Sequence, residues 1–308
     1  MKEFIIDKNS DGTRLDKFML KVMPGIKSGE VYKALRKKKV RINGKHKDCA
    51  ERLCLNDVVQ IYMNDEFFKV EGKSFSWQTA SSDINIVYED ENILVVDKPS
   101  GMPSQDTNDI KDSLESRIRS YLYKNGEINT NSSPLFIPSL CHRIDRNTEG
   151  LVIAAKNAPS LRIITEKIKS KEIRKFYLCE TEKSPKPVQG DIHGWLIKDE
   201  KNRKMIFSKT EPKQKNAGYC ETSYRTLRDG SPALLEVELH TGRTHQIRAG
   251  FSFMGCPLVG DIKYGAKPDG NKTYQHLISY KIIFDFKSSG NELDYLSGKT
   301  ICKKDVNA

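Results

Sequence analysis

Metal ribbons, disulfide frameworks and membrane spans all need features that this chain lacks. Its seven cysteines, Cys49, Cys54, Cys141, Cys179, Cys220, Cys256 and Cys302, are scattered, odd in number and never form a Cys-x-x-Cys pair. That spacing argues against a zinc ribbon and a disulfide framework, and suits small core residues in a reducing compartment. His46 stands near Cys49 and Cys54, but the group lacks a fourth ligand, so no metal is expected. No apolar run approaches the length of a bilayer span, and Phe4-Ile5-Ile6 is too short for a secretory leader, so a cytoplasmic protein is expected. Gly-x-x-x-x-Gly-Lys, Gly-x-Gly-x-x-Gly and Gly-x-Ser-x-Gly are all missing, which leaves nucleotide-cofactor binding and elbow-type hydrolase chemistry without support. No segment repeats at a fixed period, as a solenoid or propeller would require. Acidic residues are in short supply: 41 Asp and Glu face 52 Lys and Arg, a net charge of +11 over 308 residues. A surplus of that sign suits a polyanionic partner, with nucleic acid ahead of an anionic membrane surface.

The length allows one sizeable core plus a small extra domain, or two modest domains. Near the start, Leu15, Phe18, Met19 and Val22 recur at helical spacing, and Pro24-Gly25 ends that helix. Ser28 caps a second helix carrying Val31, Ala34 and Leu35 on one side. Residues 40–45, Val-Arg-Ile-Asn-Gly-Lys, read as a strand entering a tight turn, and 57–62 as the returning strand. Between 27 and 47 the bases, among them Lys37, Lys38, Lys39, Arg41 and Lys45, are opposed by Glu30 alone. Lysines at a helix end also suit the macrodipole, but this density beside a turn favours contact with an RNA backbone.

Residues 71–83 are rich in Gly, Ser and Lys and read as a linker between a domain at 1–70 and a larger one at 84–290. The larger domain is expected to hold an antiparallel pair at 84–88 and 93–96, and an amphipathic helix near 114–123 with a polar loop within 106–134. Beyond these come a buried strand at 151–155, strands at 175–180 and 234–240, and helices near 160–170 and 244–254. Residues 291–308 are polar and expected to be a fraying tail.

Three segments of the larger domain carry candidate chemistry. In His142-Arg143-Ile144-Asp145-Arg146-Asn147-Thr148-Glu149-Gly150-Leu151, Asp145 lies between two arginines on a loop feeding a buried strand. A buried carboxylate beside guanidinium stays ionised and can act as a nucleophile or base. In Arg174-Lys175-Phe176-Tyr177-Leu178, alternation sets Tyr177 on the face opposite Phe176 and Leu178. His240-Thr241-Gly242-Arg243-Thr244-His245-Gln246-Ile247-Arg248 is a strand end and turn entering a helix, a cradle for phosphate. Singly, each has a plain structural explanation: an acid paired to Arg143 or Arg146, a strand aromatic, surface charges at Arg243 and Arg248. His240 and His245 are five apart across a turn, which does not match the helical spacing of a zinc protease.

Together these segments resemble the RluA family of pseudouridine synthases. The resemblance extends to residues 89–103, Glu-Asp-Glu-Asn-Ile-Leu-Val-Val-Asp-Lys-Pro-Ser-Gly-Met-Pro, and to the later Gly255-Cys256-Pro257-Leu258-Val259-Gly260-Asp261 with Tyr264-Gly265. Residues 12–65, with Arg14-Leu15-Asp16-Lys17 and the strand-turn at 40–45, are similar to an S4 RNA-binding domain. The resemblance implies an α+β fold: a small αα-β S4-like domain, then a catalytic domain on a mixed, largely antiparallel central sheet with flanking helices and a central cleft. It implies that Asp145 is the nucleophile, that Tyr177 stacks on the base and removes a proton, and that Arg248 pairs with the carboxylate. Arg143 resembles the arginine that enters the space left by a flipped base, and Arg243 is expected to contact RNA. The chain departs from the family at Arg248-Ala249-Gly250 and at Gly255-Cys256-Pro257, where histidines often stand, which bears on substrate contacts more than on catalysis.

Such an isomerisation breaks the bond from ribose C1′ to uracil N1, turns the base and joins C1′ to C5 with no atom gained or lost, so no cofactor is expected. An ionised Asp145 could attack C1′, remove the C2′ proton or add to C6, and all three need the carboxylate deprotonated. The implied partner is structured RNA, ribosomal in preference to transfer RNA, and the implied state a monomer. Two other classes compete: an RNA-binding protein with a catalytically retired domain, and a phosphodiester hydrolase using His142 and Asp145.

Overall fold

The computed structural model describes residues 1–68, 75–107, 109–128, 136–214, 216–270 and 273–304. At the amino terminus, β1 (Lys2–Ile5), α1 (Leu15–Val22), α2 (Ser28–Arg36), β2 (Val40–Ile42) and β3 (Val58–Ile61) form a small unit whose antiparallel sheet runs β1-β3-β2. Asn43 and Gly44 both take positive φ, 50° and 76°, which is what a two-residue turn between twisted strands requires. The apolar stripes of the helices, Leu15, Phe18, Met19, Val31 and Ala34, share one core with Val40, Val59 and Ile61. Strand β1 escaped the sequence reading because Ile5 points to solvent and leaves too short an apolar pattern.

The larger body comprises β4 (Asn85–Glu89), β5 (Ile93–Lys98), α3 (Leu114–Lys124), β6 (Ser139–Leu140), β7 (Glu149–Ala155), α4 (Ala158–Lys169) and β8 (Ile173–Thr181). It continues with β9 (Gln189–Asp199), β10 (Lys204–Ser208), β11 (Gly218–Arg228), β12 (Ala233–Leu239), α5 (Gln246–Phe253), β13 (Leu277–Phe284) and β14 (Thr300–Cys302). One sheet runs β10-β9-β11-β12-β8-β13-β7-β5-β4, with β14 on β13 and β6 on β7. Among the pairs of described strands β13–β7 is parallel and the others antiparallel, so the sheet is mixed and largely antiparallel, with few helices. Its central strands are covered on both faces. Leu94 and Val96 of β5 enter one core while Ile93 and Val95 enter the other, and β7 divides Val152 and Ala154 from Leu151 and Ile153 in the same way. Burial on both faces explains why these segments read as continuous apolar runs. Helix α4 starts where Asn157 Oδ1 accepts the Ser160 N–H at 2.9 Å with Pro159 in the first turn, slightly before the expected start at 160.

Two expectations are corrected. Residues 75–83 are not an open linker: Trp77 is buried, stacked on Phe75 and set edge-on to Tyr123 of α3. Residues 69–74, the rest of the expected boundary, lie outside the described residues, as do 108 and 129–135 of the expected polar loop. Nor is the segment after Gly290 a fraying tail as far as 304. Leu293, Leu296 and Ile301 are buried in the α4-side core, and burial of side chains this size contributes about 1.5–3 kcal/mol each, enough to hold a polar segment down. Residues 305–308 lie outside the described range. Strands β9 to β11 were not legible because their inward positions include polar residues such as Thr222, which blurs the alternation. No helix among the described residues is long and apolar enough to cross a membrane.

Candidate active site

The loop from β6 to β7 presents Asp145, and a buried lysine holds that loop in place. Lys98, at the end of β5, is 0 % exposed, and its ammonium donates to the carbonyls of Pro99 at 2.9 Å, Met102 at 2.8 Å and Arg146 at 2.9 Å. Burial lowers its pKa to about 8, against the pull of Asp145, but three carbonyl acceptors favour the charged form. Ser104 Oγ donates to the Ile144 carbonyl at 2.7 Å and Ser100 Oγ to that of Asn147 at 2.9 Å, so each side of Asp145 is tied to the segment after β5. Gly150 then brings β7 against β13: its φ is +109° and a Cβ there would lie 2.1 Å from the Ser279 carbonyl oxygen. No other residue fits that approach.

Across the cleft, helix α5 supplies the partner. Gln246 fixes the turn before it: its Oε1 accepts from Thr241 Oγ at 2.8 Å and the Arg243 N–H at 3.1 Å, and its Nε2 donates to the Glu221 carbonyl at 2.9 Å. Two residues on, Arg248 donates through Nη1 to Asp145 Oδ2 at 3.1 Å, and through Nε and Nη2 to Asp261 at 2.7 and 2.9 Å. Burial would lower the arginine's pKa, but Asp261 and then Asp145 more than offset it, so the guanidinium stays charged. His245, in the left-handed conformation at φ 52°, bonds through Nδ1 to the Tyr264 hydroxyl at 2.8 Å and puts Nε2 3.8 Å from Asp145 Oδ2. Burial, ahead of neighbouring charges, lowers its pKa.

Tyr177 of β8 is 4 % exposed and faces the same pocket of about 740 Å³, which Asp145, Arg143, Arg243 and Arg248 also line. Burial pushes the phenol's pKa up, Ser279 on β13 opposes, and the charge of Asp145 adds to the rise. Tyr177 is therefore a neutral phenol here, suited to stacking and a base only toward a very acidic proton.

The two arginines beside Asp145 in sequence do not pair with it. Arg143 Nη1 donates to Gln105 Oε1 at 3.0 Å and Arg146 Nε to the Gly101 carbonyl at 2.8 Å. Arg243 Nε is held by the Tyr219 carbonyl at 3.1 Å. His142, which a hydrolase reading would use, accepts the Ile153 N–H through Nε2 at 3.2 Å, and burial, then Lys175, lowers its pKa to about 3. It is a neutral ring, poorly suited to proton transfer. Lys37, Lys38, Lys39, Arg41 and Lys45 are exposed on the small amino-terminal unit, Arg41 lying over the Tyr62 ring at 5.6 Å, and none lines the pocket. Sequence reasoning overlooked Lys98, Asp261 and His245 as parts of the site, although all three stand inside the quoted motifs.

Comparison with known proteins shows the family of the chain. The sequence profile described as RNA pseudouridylate synthase matches residues 92–253. The chain belongs to the RNA pseudouridylate synthase family. An RNA pseudouridine synthase of Mycoplasma capricolum is 32 % identical over 306 residues, covering 98 % of this chain and 97 % of that one. The synthase is also 30 % identical to the ribosomal large subunit pseudouridine synthase C of Rickettsia bellii, over 94 % of this chain and 96 % of that one. Human RNA pseudouridylate synthase domain containing 4 shares the fold, with a TM-score of 0.55 at 21 % identity over 71 % of this chain and 88 % of that one. This synthase is thus an isomerase acting on RNA, and the names of these relatives support the RluA-type resemblance.

Proposed function

We propose that this synthase isomerises uridines in structured RNA of the large ribosomal subunit, with Asp145 as the reacting carboxylate. The observation that carries the reading is the chain Asp145–Arg248–Asp261 opposite Tyr177 in one positively lined pocket. Arg248 holds and aims the carboxylate through Nη1, whether it attacks C1′, takes the C2′ proton or adds at C6. Tyr177 stacks on the uracil and receives the C5 proton after rejoining, a step its raised pKa allows only because that carbon is strongly acidic once C1′ is attached. Arg143 fills the space left when the base leaves its stack, at a penalty of about a few kcal/mol that loops and mismatches reduce. Arg243 meets the backbone at the pocket mouth.

The large-subunit assignment is supported by relatives carrying that name, and by the small αα-β unit with its exposed Lys37, Lys38, Lys39, Arg41 and Lys45, which we read as an S4-like grip on RNA. A bacterial ribosomal substrate would place the work in the cytoplasm. A catalytically retired RNA-binding domain is disfavoured because Asp145, Tyr177 and Arg248 all line one pocket. Tritium release from C5-labelled uridine in ribosomal RNA tests the assignment: activity is expected in the wild type and lost in Asp145→Asn. Turnover surviving in that variant would remove Asp145 from the reaction.

A further inference from the structure

Lys175 shares its face of β8 with Tyr177, two residues along the strand. It is 6 % exposed and lines the same pocket, yet among the described residues its ammonium meets no carboxylate, carbonyl or hydroxyl. Other buried lysines contrast with it. Lys98 directs its protons at three carbonyls, and Lys167 reaches Glu172 at 2.6 Å and Ser288 Oγ at 2.6 Å. Gly242, in the turn before α5, lies beside Lys175: a Cβ there would stand in ordinary contact, 3.9 Å from Nζ.

A second donor stands nearby. His142 accepts the Ile153 N–H through Nε2, so its neutral ring carries the proton on Nδ1, and that buried nitrogen has no partner among the described residues. His142 and Lys175 line the same pocket. Two donors without an acceptor, one of them a buried cation, carry a desolvation cost that an apolar side chain at 175 would avoid. Burial accordingly lowers the lysine's pKa to about 8.

We propose that Lys175, with the Nδ1–H of His142, forms a subsite for a phosphate oxygen of the RNA strand beside the uridine lodged at Asp145 and Tyr177. The inference rests on the reading of those two residues given under Proposed function. Strand geometry sets the Lys175 backbone roughly 7 Å from that of Tyr177, beside the stacking position and not on it. A phosphate is the group of RNA that carries full charge before reaction, whereas a uracil carbonyl would leave the ammonium uncompensated. Arg243, on the other side of Gly242, continues the positive path toward solvent.

The test compares wild type, Lys175→Met and Lys175→Arg on two probes. Tritium release from C5-labelled ribosomal RNA fragments gives kcat and KM, and fluorescence anisotropy gives Kd for labelled hexauridylate, all-phosphodiester or with single neutral methylphosphonate linkages. Lys175→Met is expected to raise KM and Kd about ten- to a hundredfold with kcat within about threefold, and Lys175→Arg to restore most of the affinity. One methylphosphonate should weaken wild-type binding by a similar factor and Lys175→Met no further. A fall in kcat at unchanged KM would overturn the phosphate subsite and assign the lysine to the departing uracil, while additive losses or unchanged constants would overturn it outright. Should Lys175→Met fail to fold, the methylphosphonate series on wild type decides, and binding indifferent to every linkage would overturn the proposal. Absence of tritium release from wild type would count against the reading of Asp145 and Tyr177, while the hexauridylate series would still decide the phosphate contact.

Discussion

Arg248 and Asp261 are locked by two parallel hydrogen bonds of 2.7 and 2.9 Å, and the nitrogen left over, Nη1, is the one that reaches Asp145. Asp261 is 1 % exposed, so the pair is a fixed mount that aims one N–H at the carboxylate of Asp145.

Asp261→Asn should therefore act through Arg248. Small misplacement of a reacting group costs on the order of a hundredfold in rate, so kcat is expected to fall about ten- to a hundredfold with KM little changed. Leaving Arg248 half-paired in the interior should also lower stability by about 3–5 kcal/mol, seen as a reduced Tm. Asp261→Glu should recover part of kcat. A variant whose KM rises while kcat holds would show that Asp261 serves RNA binding instead.

Arg143 projects into the pocket from a link to Gln105 and makes no bond to Asp145, so Arg143→Ala should disturb base flipping more than bond breaking. Activity on duplexed or stacked uridines should fall steeply, and activity on a uridine already unstacked in a loop much less. Equal losses on both RNAs would assign Arg143 to the chemistry.

His142 links acid sensitivity to the loop that carries Asp145. Its folded pKa of about 3 lies below the ordinary histidine value, so between that pH and about 6.5 the unfolded chain binds a proton that the folded one does not. Stability should accordingly fall as pH drops through this window, by at most about 1.4 kcal/mol per unit. Urea unfolding between about pH 4.5 and 7 should show this slope in wild type and a shallower one in His142→Asn. Matching slopes would mean that the ring is not held neutral in the fold.

The exposed Lys37, Lys38 and Lys39 should contribute affinity without chemistry. Changing all three to alanine is expected to weaken RNA binding and to flatten its salt dependence by roughly 0.7–0.9 for each phosphate the lysines neutralise, with kcat at saturating RNA unchanged. Salt titrations of Kd check this, and an unaltered slope would remove these lysines from the interface.

Local pattern made much of this molecule legible in advance. The stripes of α1 and α2, the Asn43-Gly44 turn, the runs of β5 and β7 and the cap of α4 each express a choice made within a few residues, where sequence and structure are tied directly. Asp145, Tyr177 and Arg248 also stand inside ordered motifs, and the fold brings all three to one pocket. Strands β9 to β11 pair with sequence neighbours but are blurred by polar inward positions, whereas β14 and the burial of Trp77 and Leu293 depend on contacts that no local pattern announces.

The site divides the same way. By itself the sequence determined that a carboxylate, a tyrosine and an arginine are present in motifs of one family, and that a basic segment precedes them. Only the tertiary structure decided which cation serves which acid: Arg248, 103 positions away, takes Asp145, while the adjacent Arg143 and Arg146 turn to Gln105 and Gly101. It also decided that Lys98 and Lys175, alike in type and burial, meet three carbonyls in one case and, among the described residues, none in the other. The physical reason is that ion pairing and desolvation depend on distance and burial in space, quantities that closing the sheet at β7, β13 and β8 creates and that residue order does not contain.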